Sequence, residues 1–234
     1  MQHSSFNPQA AQLFKYAGYA FIAVILLSII MQYFMPITLP GMPTGFVTPV
    51  MAFEYVSSMT EAQALFGDDT NLLVGMLKGI WVDMLYAVVY GSFLVLASVA
   101  AWRQTGNKYL LSGAILAVFG STFDFLENNQ LIGVGNALLN QIPYTQFELL
   151  NALVTGKFVC LSLAGLSLAP FLNLLGKRGK TFIGLSFLGL CSALIAVYEK
   201  AYFAEITLMC LVVAWTLLAI IGFRYPVYFK PKTQ

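Results

Sequence analysis

The sequence predicts an all-α polytopic membrane protein with six transmembrane helices and a cap of short helices on the outer side. Hydrophobic residues make up 59% of its 234 residues and charged residues 9%, whereas about a quarter of a soluble domain is charged. The apolar residues form six runs of the roughly 20 residues that a helix needs to cross a ~30 Å hydrocarbon core. Because no repeat, low-complexity segment or second domain is visible, residues 1–234 are expected to form a single transmembrane domain.

The first predicted span covers about residues 16–35. Asn7-Pro8 precedes it, which is the pattern of an N-cap followed by proline at the first helical position, and prolines between positions 36 and 43 end it. The run is longer than a signal peptide requires and no small-residue cleavage site follows. We therefore expect an uncleaved helix.

Residues 37–70 form a long connection with predicted structure of its own. Thr48-Pro49 begins one short helix, and Thr60-Glu61-Ala62-Gln63 has the pattern of a capping box that opens a second. Both helices are too short to span, and both mix apolar with polar residues. We predict that residues 48–66 form an interfacial, re-entrant cap over the bundle; a surface linker is the alternative.

Five further runs complete the predicted bundle. They cover about residues 74–102, 109–129, 149–173, 181–199 and 204–223. A connection that contains glycine and asparagine, residues 131–147, joins the third span to the fourth. Thr145-Gln146-Phe147-Glu148 is a second capping-box pattern, which predicts a structural role for Glu148.

The distribution of charge predicts the orientation. Six spans place one set of basic residues on a single side: Lys15, Arg103, Lys108, Lys177, Arg178, Lys180, Arg224, Lys230 and Lys232. None of the ten acidic residues lies in those segments. By the positive-inside rule, both termini are expected to be cytoplasmic and the cap to lie outside.

Histidine and cysteine usage excludes several classes of function. The sequence has a single histidine, His3, whereas di-iron and haem proteins, zinc proteases and Ser-His hydrolases need histidine ligands or bases. The three cysteines, Cys160, Cys191 and Cys210, lie in apolar runs without a CxxC pair. They are expected to be small buried apolar groups and not a disulfide framework. We expect no metal, no cofactor and no nucleic-acid partner.

The candidate functional site is the stretch 121–129 near the end of the third span. It places two carboxylates, Asp124 and Glu127, and two amides, Asn128 and Asn129, in a run that otherwise qualifies to cross a bilayer. Polar side chains at that depth are costly and normally face a protein interior or a water-filled cavity. We therefore expect these side chains to line a polar space inside the bundle.

A seam of small residues indicates which face of the third span points inward. Gly113, Ala117 and Ser121 repeat every four residues, a spacing that lets a neighbouring helix approach closely. Asp124 and Asn128 continue the same stripe, so we expect Asp124 to face the bundle interior and not lipid.

Depth counts at 1.5 Å per residue bring other polar residues to the same half of the membrane. Lys157 of the fourth span is expected to lie level with Asp124, on the order of 10 Å below the outer end. The further members of the predicted site are Glu54 in the cap and, on the second span, Asp83 with Tyr86 and Tyr90 on its face and Trp81 above it.

Two interpretations of these residues remain open. In the first, Asp124 and Lys157 neutralise each other, the asparagines cap or bridge helices, and Glu127 reaches the interface. In the second, an outward-facing pocket binds or converts a ligand. The candidate acids and bases are then Asp124, Glu127 and Asp83, and the candidate ligand-binding residues are Glu54, Trp81, Tyr86, Tyr90, Asn128, Asn129 and Lys157. We favour the second, because one ion pair needs neither the cap glutamate nor the tyrosines. Lys157 as a Schiff-base lysine holding a chromophore is a further possibility.

The available side chains limit the chemistry of such a pocket. Without histidine, the acid or base is a carboxylate, a lysine or a tyrosine, and a carboxylic acid beside apolar walls is a usable general acid near neutral pH. Membrane-embedded terpene cyclases and sterol isomerases work in this way. The predicted function is binding of an amphipathic or isoprenoid-like lipid from the outer leaflet, and whether the protein also converts it, as an enzyme of isomerase or cyclase type, stays open.

Two other classes of function are kept as alternatives. In a small-solute or ion transporter, the same carboxylates and Lys157 would form a coupling site, but the cytoplasmic halves of the spans carry few polar residues and no inverted repeat is visible. An accessory subunit of a membrane complex is the third class. The oligomeric state is left open.

Four short motifs resemble those of a group of small, uncharacterised bacterial multi-helix membrane proteins. They are Phe53-Glu54, Thr60-Glu61-Ala62, Trp81-x-Asp83 with Tyr86, and Asp124-x-x-Glu127-Asn128. The resemblance covers roughly residues 50–130 and implies a bacterial inner-membrane location without implying an activity. The intramembrane acids are also similar to those of the sterol-isomerase-like EXPERA proteins, which have fewer helices and use a histidine that this chain lacks. That similarity is one of site only.

Overall fold

The computed structural model describes residues 6–229, which are helical and contain no strand. The α-helices are α1 (Pro8–Phe34), α2 (Pro49–Glu54), α3 (Met59–Phe66), α4 (Thr70–Thr105), α5 (Leu111–Asn140), α6 (Phe147–Ser167), α7 (Ala169–Leu172), α8 (Lys177–Ile195), α9 (Lys200–Phe223) and α10 (Tyr225–Tyr228). Two 3₁₀ turns, Lys108–Leu110 and Asn173–Leu175, complete the described secondary structure. His3, Lys230 and Lys232 lie outside the described residues.

Six of these helices, α1, α4, α5, α6, α8 and α9, are long and apolar enough to cross a membrane. Each packs against the next one along the chain, and α9 packs back against α1, so the six helices close into a ring. The all-α, six-span prediction is therefore confirmed. The interior of the ring is where the buried polar residues of α4, α5 and α6 lie.

The first and last residues that the structure describes lie at the same end of the bundle, which we call the terminal end. The Asn7 side-chain amide donates to the Arg103 backbone carbonyl at 2.8 Å, and the Phe6 and Tyr225 rings lie 5.8 Å apart. Asn7 also caps α1 as predicted, since its Oδ1 accepts hydrogen bonds from two backbone amides of the first turn. The opposite end, where α2 and α3 lie, is called the cap end.

Helix α5 is longer than the sequence predicts. It continues to Asn140, beyond the predicted end of the span near residue 129, and stops at Gln141, whose φ is 55°. Gly135, which favours a helix end on local grounds, sits instead where a side chain would collide with Leu77 of α4. The close packing of α5 against α4 at this position offsets the low helix propensity of glycine. As a result Asp124 lies near the middle of α5, about 20 Å from its start and about 24 Å from its end.

Both predicted capping boxes are displaced from the observed helix starts. In α3 the N-cap is Ser58, whose Oγ accepts from the Glu61 backbone N–H at 3.1 Å, while the Glu61 carboxylate accepts from the Ser57 N–H at 2.7 Å. The helix thus begins before Thr60. In α6 the N-cap residue makes no side-chain cap, and Glu148 is the second helical residue instead of the third. Its predicted capping role is wrong, because a capping box needs the carboxylate at the third position.

Helices α2 and α3 form the predicted cap. Their inward side chains are almost completely buried: Met51, Ala52, Phe53, Glu54, Ala62, Leu65 and Phe66. The alternative of a free surface linker is therefore wrong.

Three polar side chains from the spanning helices hold the cap in place. Glu205 of α9 accepts from the Thr48 N–H at 2.7 Å, from the Thr48 hydroxyl at 2.8 Å and from the Val47 N–H at 2.9 Å. Lys200 donates to the Tyr55 carbonyl at 3.1 Å, and Asn151 of α6 donates to the Val56 carbonyl at 3.0 Å. We call Glu205, Lys200 and Asn151 the cap anchors.

Candidate functional site

The centre of the site is the Lys157 ammonium, which contacts three carboxylates. Its Nζ lies 2.8 Å from Glu127 Oε2, 3.1 Å from Glu54 Oε2 and 3.3 Å from Asp124 Oδ1. All four side chains are at most 6% exposed. The predicted contact between Asp124 and Lys157 is confirmed, but it is one of three contacts made by the same ammonium and not an isolated pair.

Helix geometry explains how three separate elements meet at this point. Side chains on a helix lean toward its N-terminus, so Lys157, ten residues into α6, extends toward the cap end. Glu54 is the last residue of α2 and approaches from the cap. Asp124 and Glu127 are three residues apart on α5 and therefore share a face.

A second set of contacts joins α4 to the same site. The Tyr90 hydroxyl donates to Asp124 Oδ2 at 2.7 Å, and the Asn128 amide nitrogen donates to Asp83 Oδ2 at 3.1 Å. The Tyr90 ring packs on Trp215 of α9, with centroids 5.1 Å apart. We call the following residues the carboxyl cluster: Glu54, Asp83, Tyr90, Asp124, Glu127, Asn128 and Lys157.

The carboxyl cluster contains four carboxyl groups and one ammonium. Lys157 is the one lysine or arginine among residues 6–229 that is buried. Even after relaxation, burying an unpaired ion costs several kcal/mol, so most of the carboxyl groups must be neutralised by protons or by a positive group on a ligand. Burial raises the pKa of Glu54, the member contributed by the cap, against the opposing influence of Lys157.

The structure also contains buried polar atoms that lack a hydrogen bond. Apart from the carboxylate oxygens that contact Lys157, the described residues have three buried side-chain atoms without a hydrogen-bond partner: Asn128 Oδ1, the Tyr55 hydroxyl and the Ser162 hydroxyl. Asn128 is 1% exposed, and its amide nitrogen is bonded to Asp83. Its oxygen is therefore an unused acceptor inside the carboxyl cluster.

Three of the predicted site residues do not join the carboxyl cluster. Trp81 is 61% exposed, since it lies two residues before Asp83 and so points to a different face of α4. Asn129 is exposed and donates to the Phe125 carbonyl of its own helix at 2.8 Å. Tyr86 is half-buried and packs edge-on against Tyr90, with centroids 5.3 Å apart.

The ion-pair interpretation of the sequence has Glu127 reach the interface, whereas the structure encloses it within the bundle. It is completely buried and makes the shortest contact to Lys157, so it is enclosed by protein. The cap anchors were not predicted from the sequence. A signal for Glu205 was present, however, because it is an acidic residue at the start of an otherwise apolar span.

Three described cavities lie outside the carboxyl cluster. One of about 720 Å³ lies between α3 and the end of α5, and one of about 350 Å³ lies at the terminal end between α1 and α9. The third is an apolar groove of about 640 Å³ between α4 and α5, which includes Gly91 and Ser121. None of these three is lined by a cluster residue, and the cap covers the place where an outward-facing pocket was predicted.

Aromatic rings fill the interior at the terminal end. Phe14 lies 5.2 Å from Phe171 and 5.1 Å from Tyr225, between ring centroids. Tyr225 in turn lies 4.9 Å from Phe229. This aromatic layer separates the carboxyl cluster from the terminal end of the bundle.

None of the protein-family models, curated proteins or solved structures compared with this chain matches it. The resemblance to small bacterial membrane proteins therefore stays a prediction. Fold and site together define a class: a six-helix membrane protein with a buried, acid-rich polar cluster beneath a cap. Because fold does not imply function, the chemistry of the site is what indicates the function.

Proposed function

We propose that this protein binds a hydrophobic or amphipathic small molecule, such as an isoprenoid-like lipid, at the carboxyl cluster and performs acid–base chemistry on it. The observation that supports this is the presence of four carboxyl groups and one ammonium inside a bundle of apolar helices. A structural ion pair would need only one of those carboxyl groups.

Surplus buried acids weaken a fold. Replacing a buried ion pair by apolar residues is often neutral or stabilising, so a bundle under selection for stability alone gains nothing from Glu54 or Asp83. Ionisable residues inside a membrane protein are by default candidates for function. Asp124, Glu127 and Asp83 are the proposed acids and bases.

The contacts suggest how the roles are divided. A carboxylate held by the Lys157 ammonium is favoured in its ionised form, which suits a base. Asp83 receives only a neutral amide N–H, so its environment contrasts with that of the three carboxyl groups that contact Lys157. Pairs of titratable groups in contrasting environments are the arrangement from which acid and base roles are inferred. Tyr90, which donates to Asp124, would orient that carboxylate.

The cap is the proposed entrance. The aromatic layer occupies the terminal end, whereas the cap is attached to the bundle through the hydrogen bonds of Glu205, Lys200 and Asn151. A hydrophobic molecule would reach the carboxyl cluster by displacing the cap. Transport through the bundle is the weaker candidate, because the aromatic layer lies across the path that it would need.

We further propose a location in a bacterial inner membrane, with the termini cytoplasmic and the cap outside. The support is the positive-inside rule. The described basic residues near the terminal end are Lys15, Arg103, Lys108, Lys177, Arg178, Lys180 and Arg224.

Mass spectrometry of the lipids that co-purify with the protein tests the proposal. We expect wild type to retain one lipid species, and Asp83→Asn and Glu127→Gln to lose it while still eluting as folded protein on size exclusion. Glu148→Gln, the same change at an exposed glutamate of α6, is the matched control and should retain the lipid. An identical lipid mixture in wild type and in both cluster variants would contradict the proposal.

A further inference from the structure

We infer that the polar end of the ligand is an ammonium group that bonds both Asp83 and the free amide oxygen of Asn128. This inference rests on the proposed function and narrows the class of ligand at the same site.

The charge of the carboxyl cluster favours a positive head group. Lys157 already contacts Glu54, Asp124 and Glu127, which leaves Asp83 as the carboxyl group without a cation in contact. An anionic head group would add a negative charge to a cluster with one ammonium and four carboxyl groups. A positive head group is the addition that reduces the imbalance.

Independently of charge, an unused acceptor in the carboxyl cluster calls for a hydrogen-bond donor on the ligand. Asn128 Oδ1 is buried without a hydrogen-bond donor, and buried polar atoms in native structures are normally paired. The opposite orientation of the amide would bring its oxygen against the Asp83 carboxylate, where two acceptors would face each other. The site therefore lacks a donor next to Asp83.

An ammonium group meets both requirements at once. It has up to three N–H donors and a positive charge, so one head group can bond Asp83 and Asn128 Oδ1 together. A hydroxyl group offers a single donor and no charge. The rings of Tyr86 and Tyr90, 5.3 Å apart on the same face of α4, add the kind of surface to which cations are attracted.

Binding of three amphiphiles with one chain length tests the inference. Dodecylamine, dodecanol and dodecanoate are titrated into the protein in nanodiscs of uncharged lipid, and binding is followed by intrinsic tryptophan fluorescence. We expect dodecylamine to bind at least tenfold more tightly than dodecanol and dodecanoate not to bind. Dodecyltrimethylammonium, which is charged but has no N–H, should bind less tightly than dodecylamine.

Variants assign the binding to this site. Asp83→Asn should weaken the binding of dodecylamine at least tenfold and that of dodecanol less than threefold. Asn128→Ala should also weaken the binding of dodecylamine. The second variant keeps the test valid if the first does not fold. Glu148→Gln controls for adsorption of a cation to exposed acidic residues and should not change the affinity for any of the amphiphiles.

The outcomes separate the inference from the proposed function. Equal binding of amine and alcohol, with both weakened by Asn128→Ala, would overturn the ammonium inference and leave the proposed function in place. Tightest binding of dodecanoate would overturn it as well, as would equal binding of the two cations. If neither variant alters the binding of any amphiphile and no lipid co-purifies, both the inference and the proposed function fail.

Discussion

Replacing Lys157 with methionine removes the one positive charge of the carboxyl cluster while keeping the length of the side chain. The ammonium lies 2.8, 3.1 and 3.3 Å from three carboxylates. At an effective dielectric constant of 20, two unit charges 3 Å apart attract each other by about 5.5 kcal/mol, and desolvation offsets much of that attraction. Removing one partner of a buried pair costs about 3–5 kcal/mol, which is the loss of stability that we expect at pH 7.

The loss should depend on pH, because the variant can neutralise a stranded carboxylate by binding a proton. For a carboxyl group of ordinary pKa, about 4.3, binding a proton at pH 7 costs about 3.7 kcal/mol, and that cost falls by about 1.4 kcal/mol for each unit by which the pH is lowered. The folded variant then holds a proton that the unfolded chain lacks at pH 7. Its stability relative to wild type should therefore rise as the pH falls, by about 2–3 kcal/mol between pH 7 and pH 5.

Thermal unfolding of the detergent-solubilised protein at pH 5, 6, 7 and 8 measures this effect. For a chain of this size, a loss of about 3–5 kcal/mol corresponds to a decrease of roughly 6–20 °C in the unfolding temperature. Lys78→Met, the same substitution at an exposed lysine of α4, is the matched control and should differ little from wild type. A Lys157→Met protein as stable as wild type at pH 7, or one with the same deficit at pH 5 and pH 8, would refute this account of the cluster.

Two further predictions use cysteines introduced into a variant without Cys160, Cys191 and Cys210. Ala52 lies in the cap and is 3% exposed, so a cysteine at this position should resist a water-soluble maleimide. The cysteine should react once Glu205→Ala removes the three hydrogen bonds that hold residues 47 and 48. Rapid labelling with Glu205 intact would show that the cap is open without ligand. In whole cells, a membrane-impermeant maleimide should reach a cysteine at the exposed position 69 and not one at the exposed position 107, and the reverse result would invert the proposed orientation.

Hydropathy and charge were enough to predict the architecture. Crossing a hydrocarbon core imposes a minimum length of apolar helix, so six spans could be counted from composition along the chain. The contact between Asp124 and Lys157 was also predictable, because a helix rises by a constant 1.5 Å and turns by a constant angle per residue. Depth and face then follow from numbering alone.

The same reasoning was less reliable at helix ends and on helix faces. Helix α5 continues to Asn140, beyond the predicted end of the third span near residue 129, because the local effect of Gly135 is smaller than the packing of α5 against α4 and the cap. Trp81 and Asn129 were assigned to the site on proximity in sequence. A shift of one or two residues turns a helical side chain by about 100–200°, which places both outside the carboxyl cluster.

Only the tertiary structure showed that the Lys157 ammonium contacts three carboxylates. Glu54 comes from a six-residue helix whose position depends on hydrogen bonds to α6 and α9, and no hydropathy period encodes those contacts. Glu205 lies more than 150 residues from the segment that it holds. Local sequence patterns specify which residues can be buried, whereas the partners of a buried charge depend on which distant helices pack together.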